Sequence, residues 1–228
     1  MERINNMKIR KILCAFAAAG MLLTLTACSN GASSNPSSLQ SSSSEKQSSS
    51  SSTMSKSSLD EHILNSKITS ANSLASQIKL AATEFLVKAD TDRQAIKGTE
   101  NLVVLKCTVD GGKWDISVSG GSDTVQFGSG DKWKWTGDDK DTCFNAYAAN
   151  YNYDFEQGYA EIYLKGGTVI GVIVVTDGIA SDIPEALRDE GIWGKNGTGE
   201  INWPSGKMGV GANGVVIGTS PIIAQKQS

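Results

Sequence analysis

Serine makes up 17 of the 30 residues from Ser29 to Ser58, and this run decides where the chain of 228 residues can fold. The rest of the run is mostly polar, with almost no apolar side chains. Such a segment cannot bury enough surface to offset the conformational entropy that it would lose on folding. The sequence therefore predicts a disordered tether, spanning about 30 Å as a flexible coil, and a folded domain that begins near Leu59.

The residues before the tether have the pattern of an export signal. Lys8, Arg10 and Lys11 form a positive region, and the apolar run Ile12–Thr26 that follows is too short to be a comfortable membrane span. This order of a basic region and a short apolar run predicts that residues 1–27 are a signal peptide.

The stretch Leu25-Thr26-Ala27-Cys28 closes the apolar run. It resembles the lipobox of bacterial lipoproteins, in which a small residue before cysteine admits the cleaving peptidase and the thiol receives a diacylglycerol. The resemblance implies lipidation of Cys28 and a mature protein anchored to the cell membrane on its extracytoplasmic face, with residues 28–58 as lipidated cysteine and tether. The alternative is an ordinary cleaved secretory signal that happens to end in cysteine.

Residues 59–228 have the size of a single domain. They carry 15 Lys and Arg against 22 Asp and Glu, a formal charge of −7, whereas the whole chain carries −3. Nucleic-acid binding requires a basic surface that releases counterions from phosphate. The composition therefore predicts that nucleic acid is not a partner.

Beyond Leu59, apolar residues recur at steps of three and four, the spacing of one helical face. The pattern predicts an amphipathic helix of about 30 residues, roughly 45 Å long and ending near Lys88, which needs a large packing partner. Ser58 is the expected N-cap, with Glu61 as its capping-box partner. The apolar stripe comprises Leu64, Ile68, Ala71, Ala75, Ile78, Ala82 and Phe85.

Runs of β-branched and aromatic residues separated by glycine turns predict antiparallel hairpins. The expected pairs are Leu102–Val109 with Lys113–Val118, Thr124–Phe127 with Lys132–Thr136, and Tyr159–Leu164 with Val169–Val175. A short helix is expected over Asp141–Tyr151, one or two helical turns over Pro184–Glu190, and loops with one late strand at Val215–Ile217. The predicted class is α+β, a long N-terminal amphipathic helix packed on an antiparallel β-sheet.

Several of these segments together resemble pilin-like globular domains, especially those of Clostridia-type bacteria. They are the helix core Asn65–Ala75, the short aromatic helix, the hairpin Gly158–Val175 and the ending Ile217–Pro221. The resemblance implies that the C-terminal half of the long helix lies across the sheet. A type IV prepilin begins its mature chain with an apolar helix, which the lipobox and tether replace here, so no functional residue of the family is carried over.

Two cysteines, Cys107 and Cys143, fall inside the predicted domain. A disulfide between them would persist in an exported protein and would stabilise the fold by closing a long loop. A buried free thiol is an equally ordinary state for a cysteine in a strand or helix. The sequence leaves both alternatives open because the geometry of the two Cβ atoms decides between them.

Tryptophans are the candidate ligand-binding residues. Trp133 and Trp135 alternate with lysines, which places both on one face of a predicted strand, and Trp193 and Trp203 lie in glycine-rich loop sequence. Exposed indoles stack well on sugar rings or peptides, although core packing or the pinning of a loop is the more common use of such tryptophans. They support the alternative hypothesis of a carbohydrate-binding lipoprotein.

Patterns for catalysis or metal binding are missing from the sequence. His62 is the one histidine of the chain, expected to be exposed at the start of the helix, and metal-spaced His pairs and CxxC pairs do not occur. The acidic segment around Asp138 and Asp141 does not have EF-hand spacing. We therefore expect no cofactor, no metal and no enzymatic activity, and a surface lipoprotein whose domain contacts an envelope or pilus-associated protein, with a glycan as the alternative partner.

Overall fold

The computed structural model describes residues 56–92, 96–97, 101–119, 126–127, 132–151, 155–193 and 199–227. These residues belong to one compact unit. The predicted signal peptide, Cys28 and the tether up to Ser55 lie outside the described residues.

The first described element is the long helix α1 (Lys56–Thr91). The strands and a second helix follow it along the chain. The strands are β1 (Ile96–Lys97), β2 (Val103–Asp110), β3 (Lys113–Ser119), β4 (Gln126–Phe127), β5 (Gln157–Lys165), β6 (Thr168–Val175), β7 (Glu200–Ile201), β8 (Ile217–Ser220) and β9 (Ala224–Gln225). Helix α2 (Phe144–Asn150) lies between β4 and β5. Short 3-10 helices span Ala180–Asp182, Glu185–Arg188 and Glu190–Trp193.

Five strands form the main sheet in the order β3-β2-β5-β6-β8, and all four neighbouring pairs are antiparallel. The turns of its two hairpins are glycine pairs with positive φ, 55° and 72° in the β2–β3 turn and 57° and 72° in the β5–β6 turn. Both residues of a type I′ turn have φ > 0, which glycine adopts without steric cost. The β2–β3 and β5–β6 hairpins are therefore encoded locally, by the glycine pairs at their turns.

Helix α1 packs on β6 and β8 and covers the β8 edge of the sheet. The Asn72 side chain accepts a hydrogen bond at 2.8 Å from the backbone N–H of Thr219, and the Ser76 hydroxyl donates to the Ser220 hydroxyl at 3.3 Å. Because the helix satisfies the backbone N–H of Thr219, the edge strand cannot pair with another chain at this position. The helix thus holds the last strand of the sheet in place.

Glycine at position 218 allows this close approach of helix and strand. A Cβ atom at Gly218 would lie 2.1 Å from the Ala71 carbonyl oxygen, where backbone would have to move. We expect Gly218→Ala to lower the free energy of unfolding by about 2 to 3 kcal/mol, because overpacking strains a packed contact. Urea unfolding measures the change, with Gly191→Ala, whose Cβ meets its nearest atom at 3.3 Å, as the control. A Gly218→Ala variant as stable as the control would contradict this packing.

The sheet is covered on both faces. On the face against α1 and α2, which we call the helix face, alternate strand residues such as Leu105, Ile162 and Val172 join the buried side of α1 in one core. On the opposite face, which we call the cover face, Tyr163 and Ile173 pack under residues from the C-terminal part of the chain. The strands β5 and β6 are therefore buried on both sides.

The structure confirms the α+β class, the long amphipathic helix and two predicted hairpins. The helix begins earlier than expected, so Ser58 lies inside it and is not its N-cap. The predicted hairpin of Thr124–Phe127 with Lys132–Thr136 is wrong. Instead, β4 pairs with β1, and Lys134 makes a single bridge to Cys143. The late strand runs over Ile217–Ser220, where it forms the sheet edge under α1.

Candidate functional site

The first three turns of α1 project from the domain. Every described residue from Lys56 to Lys67 is exposed or half-buried, and burial of the helix begins at Ile68. Leu59 and Ile63 are apolar and lie in this projecting end with 50% and 48% of their surface exposed. His62 is exposed in the same turns, as predicted. The projecting end therefore presents apolar side chains to solvent where the chain enters the domain.

A groove of about 700 Å³ runs along one flank of α1, beginning in the last turn of the projecting end. Its helix wall carries Ser66, Ser70, Ser73 and Gln77, and its opposite wall consists of Thr176, Asp177 and Gly214–Val216. Small hydroxyl side chains on a helix permit close approach of another backbone and offer both hydrogen-bond donors and acceptors. This flank is suited to a polar, extended contact.

A second groove, of about 730 Å³, lies on the other flank of α1. It combines Ile68 with Lys207, Met208 and Ile222 of the C-terminal part, and Met208 and Ile222 are 40% and 54% exposed. Thr69 and Ser73 line both grooves and so form the ridge between them. Together with the projecting end, the two grooves make one surface, which we call the α1 surface.

All five tryptophans are buried, and none exposes more than 8% of its surface. Trp133 and Trp135 both pack against Phe85 in the helix-face core, with ring centroids 5.1 and 6.2 Å from it. Trp193 lies against Tyr163 at 5.0 Å, and Trp203 belongs to the cover-face core. The predicted use of Trp133, Trp135, Trp193 and Trp203 as an exposed sugar-stacking platform is therefore wrong, because their indole faces are occupied by the protein's own side chains.

Cys107 and Cys143 are separate free thiols, and both are buried. Cys107 points into the helix-face core from the middle of β2. The Cys143 sulfur sits against Gly137, where a Cβ would lie 2.5 Å from it. Of the two alternatives left open by the sequence, the structure contains the buried free thiol at both positions.

The acidic segment before α2 forms a loop closed by its own hydrogen bonds. Asp139 accepts bonds from the Asp141 N–H and the Thr142 hydroxyl, each at 2.9 Å, and these bonds lower the pKa of its carboxyl. Within the described residues, no cluster of three or more His, Cys, Asp or Glu side chains has the geometry of a metal site. The carboxylate of Asp139 is thus used for turn formation.

A buried carboxylate on the cover face is the most strongly polar feature of the interior. Glu161, in the middle of β5, is 1% exposed. The hydroxyl of Tyr163 donates to its Oε2 at 2.5 Å, and the hydroxyl of Tyr159 donates to its Oε1 at 3.1 Å. Nη2 of Arg188 donates to the same Oε1 at 3.3 Å from a 3-10 helix that lies over the sheet. These four side chains form what we call the Glu161 cluster.

The Glu161 carboxylate shifts the pKa of the side chains around it. Burial and the neighbouring carboxylate raise the pKa of both Tyr159 and Tyr163, so both phenols remain neutral donors. Burial alone would lower the pKa of Arg188, but the carboxylates of Glu161 and Glu185 more than offset it, and its pKa is raised. Three donors converge on a carboxylate that lines neither groove of the α1 surface. This arrangement is suited to holding the 3-10 helix that carries Arg188 against strand β5.

Sequence reasoning missed the Glu161 cluster. The sequence predicts Tyr159–Leu164 as a hairpin strand, and a single carboxylate within it draws no attention. The available signal is its spacing, since Tyr-x-Glu-x-Tyr places three polar groups on one face of a strand. A carboxylate between two phenols on a strand buried on both faces needs hydrogen-bond donors nearby.

The buried thiol and phenols predict a fall in stability at alkaline pH. Burial raises the pKa of Cys107, Tyr159 and Tyr163, so these groups ionise first in the unfolded chain. Their contribution to the free energy of unfolding is complete below the ordinary pKa values of a thiol and a phenol, about 8.5 and 10. It is lost as pH rises above those values. We expect the free energy of unfolding to decrease from about pH 9, by about 1.4 kcal/mol per pH unit for each group.

Urea unfolding at a series of pH values between 7 and 11 tests this expectation. In the Cys107→Ala variant the decrease should begin later, near the phenol range, because its unfolded chain lacks that thiol. Stability that stays constant to pH 11 in the native protein, or an identical onset in the variant, would contradict the burial of these groups.

Half-exposed aromatic side chains also lie where α1 meets α2. Tyr147 donates to the Glu84 carboxylate at 2.9 Å, and Lys88 lies 4.4 Å from the centre of the Tyr147 ring. Tyr151 is its neighbour, with ring centroids 6.0 Å apart. Because these polar groups bind one another, the junction is a helix–helix contact.

Comparison with known protein families, with curated proteins and with solved structures finds no match for this chain. Within the described residues, none of the helices is long and apolar enough to cross a membrane.

Proposed function

We propose that this protein is a non-catalytic surface lipoprotein, held on the extracytoplasmic face of the cell membrane by a lipid on Cys28. The observation that carries the proposal is the stretch Leu25-Thr26-Ala27-Cys28, which closes a short apolar run that follows a basic region. Two or three acyl chains make a stable anchor because each buried methylene contributes about 0.8 kcal/mol. The serine-rich segment that follows acts as a spacer between membrane and domain.

We propose further that the domain is pilin-like. The support is the packing of α1 across β6 and β8 of an antiparallel sheet, together with the stretches that resemble such domains in sequence. A shared fold is weak evidence about activity, since functions reside in particular sites. The proposal for the domain is therefore argued from its surface, and its role is protein interaction or surface display.

The α1 surface is the proposed contact region. It lies where the tether enters the domain, it exposes Leu59 and Ile63 on a projecting helical end, and grooves flank the helix below. Apolar side chains exposed together beside grooves are typical of interaction sites. A partner in the same membrane or envelope would reach this end of the domain directly.

A photo-crosslinking amino acid at position 63 tests the contact region in the full chain in its native host. We expect crosslinked partners at position 63 in several-fold larger yield than at position 179, because only the first lies in the α1 surface. Ile179 is the matched control, since it is also an exposed isoleucine, with 65% of its surface accessible against 48% for Ile63. Equal yields at the two positions, or none at position 63, would contradict the proposed contact.

A further inference from the structure

The segment Asp177–Trp193, which we call the cover, lies over the cover face of the sheet and is joined to the rest of the domain by side-chain contacts. It consists of the three short 3-10 helices and their connections. Its backbone hydrogen bonds join neighbours, as from Leu187 N–H to the Pro184 carbonyl at 2.9 Å and from Ile192 N–H to the Asp189 carbonyl at 3.2 Å. Among the described residues, no backbone hydrogen bond joins the cover to the five-stranded sheet.

Apolar contact between the cover and the rest of the domain is limited to a few side chains. Of its residues, Ile183, Leu187 and Trp193 are buried, and the others are exposed or half-buried. Trp193 lies against Tyr163 and over Gly171, where a Cβ atom would meet its ring at 2.3 Å. A segment with few buried apolar residues and only local backbone bonds belongs to the low-stability end of a domain.

Two ion pairs join the cover to β5, and they differ in burial. Lys165 and Glu190 form an exposed pair, with 45% and 44% of their side chains accessible. Arg188 and Glu161 form a pair whose carboxylate is 1% exposed and whose guanidinium is 31% exposed. Nη2 of Arg188 also donates to the Ala180 carbonyl at 2.7 Å, so one side chain links two of the 3-10 helices to the sheet.

We propose that the cover opens as a unit while the sheet stays folded, and that Arg188 bound to Glu161 is the latch that keeps it closed. An exposed ion pair contributes little, whereas removing one partner of a buried pair leaves an uncompensated charge. Opening uncovers the Glu161 carboxylate with the two phenols beside it, and exposes the aromatic face that Trp193 covers. The cover is thus a conformational device that controls access to the most polar part of the interior.

Hydrogen–deuterium exchange of the full chain, read peptide by peptide, tests the latch. In the native protein we expect peptides of the cover to exchange at least tenfold faster than those of β5 and β6. Arg188→Met keeps the packing of the stem but removes the ion pair, and it should accelerate exchange of the cover a further tenfold or more. Lys165→Met removes the exposed pair to the same segment and should change exchange less than twofold.

The double variant with Glu161→Gln and Arg188→Met keeps the test decisive if the single variant is destabilised by its unpaired buried carboxylate. Faster exchange of the cover, with β5 and β6 still protected, supports the latch. Unchanged exchange of the cover in this variant would overturn the proposal. Equal acceleration of cover and sheet would also overturn it, because the cover would then open only when the whole domain unfolds.

Discussion

Replacing Phe85 by alanine should lower the free energy of unfolding by about 3 to 5 kcal/mol, the usual cost of truncating a buried aromatic residue. Phe85 is fully buried and lies at the centre of the helix-face core, in contact with Trp133, Trp135 and Phe144. Its removal leaves a cavity that several rings share, and large rigid rings cannot collapse to fill it. Urea or thermal unfolding measures the effect.

Val87→Ala is the matched control for this prediction. Val87 lies in the same helix two residues away, but it is 58% exposed and outside the core. We expect the control to change stability by no more than about 0.5 kcal/mol, as is usual for surface substitutions. If Phe85→Ala lowered the free energy of unfolding as little as Val87→Ala does, the result would contradict the packing of an aromatic core between α1 and the α2 region.

Glu161→Ala should destabilise the domain by a comparable amount, about 3 to 5 kcal/mol. The substitution removes the acceptor of the hydroxyls of Tyr159 and Tyr163, both buried, and leaves Arg188 without its buried partner. Buried donors without an acceptor keep the full cost of their lost hydration. The free energy of unfolding at neutral pH measures the loss.

Glu161→Gln separates hydrogen bonding from charge in this cluster. Glutamine keeps the volume and one carbonyl acceptor, so it should cost clearly less than alanine. The reverse order, or a loss below about 1 kcal/mol for Glu161→Ala, would show that the carboxylate is not the common acceptor of three donors. Such an outcome would also remove the basis of the proposed latch.

Elements that are encoded by local patterns could be predicted from the sequence. The stripe from Ile68 to Phe85 has helical spacing over several turns, and both confirmed hairpins have glycine pairs at their turns. In these segments propensity, periodicity and turn chemistry agree, so tertiary contacts have nothing to override. The α+β class follows because the long helix has an apolar surface that can cover one face of the sheet.

The C-terminal part could not be predicted in the same way. Ile183, Leu187, Ile201 and Ile223 are each buried. Apart from the four-residue step between Ile183 and Leu187, their positions follow no helical or strand period. They are buried because they pack on the cover face of the sheet. Since that face is assembled from strands distant in sequence, no local pattern of the cover indicates its position.

The candidate sites show the same difference between what local sequence patterns indicate and what tertiary contacts decide. The tryptophans are candidates because of their positions in the sequence, but a sequence pattern cannot distinguish an exposed indole from a buried one. Trp135 packs on Phe85 and Trp193 packs on Tyr163 in the folded domain. The Arg188–Glu161 pair joins residues 27 positions apart whose segments meet only in the folded domain. The projecting end of α1 could not be foreseen either, because the stripe of the helix does not show where the sheet ends.

The central claim is that the mature protein begins at a lipid-modified Cys28, and mass spectrometry of the protein purified from its native membrane tests it most directly. The account predicts an N-terminal peptide that starts at Cys28 and carries the mass of a diacylglycerol. Cys28→Ser should lose this modification, whereas Cys14→Ser, inside the signal segment, should keep it. An unmodified Cys28, or a chain that still begins at the initiating methionine, would contradict the account.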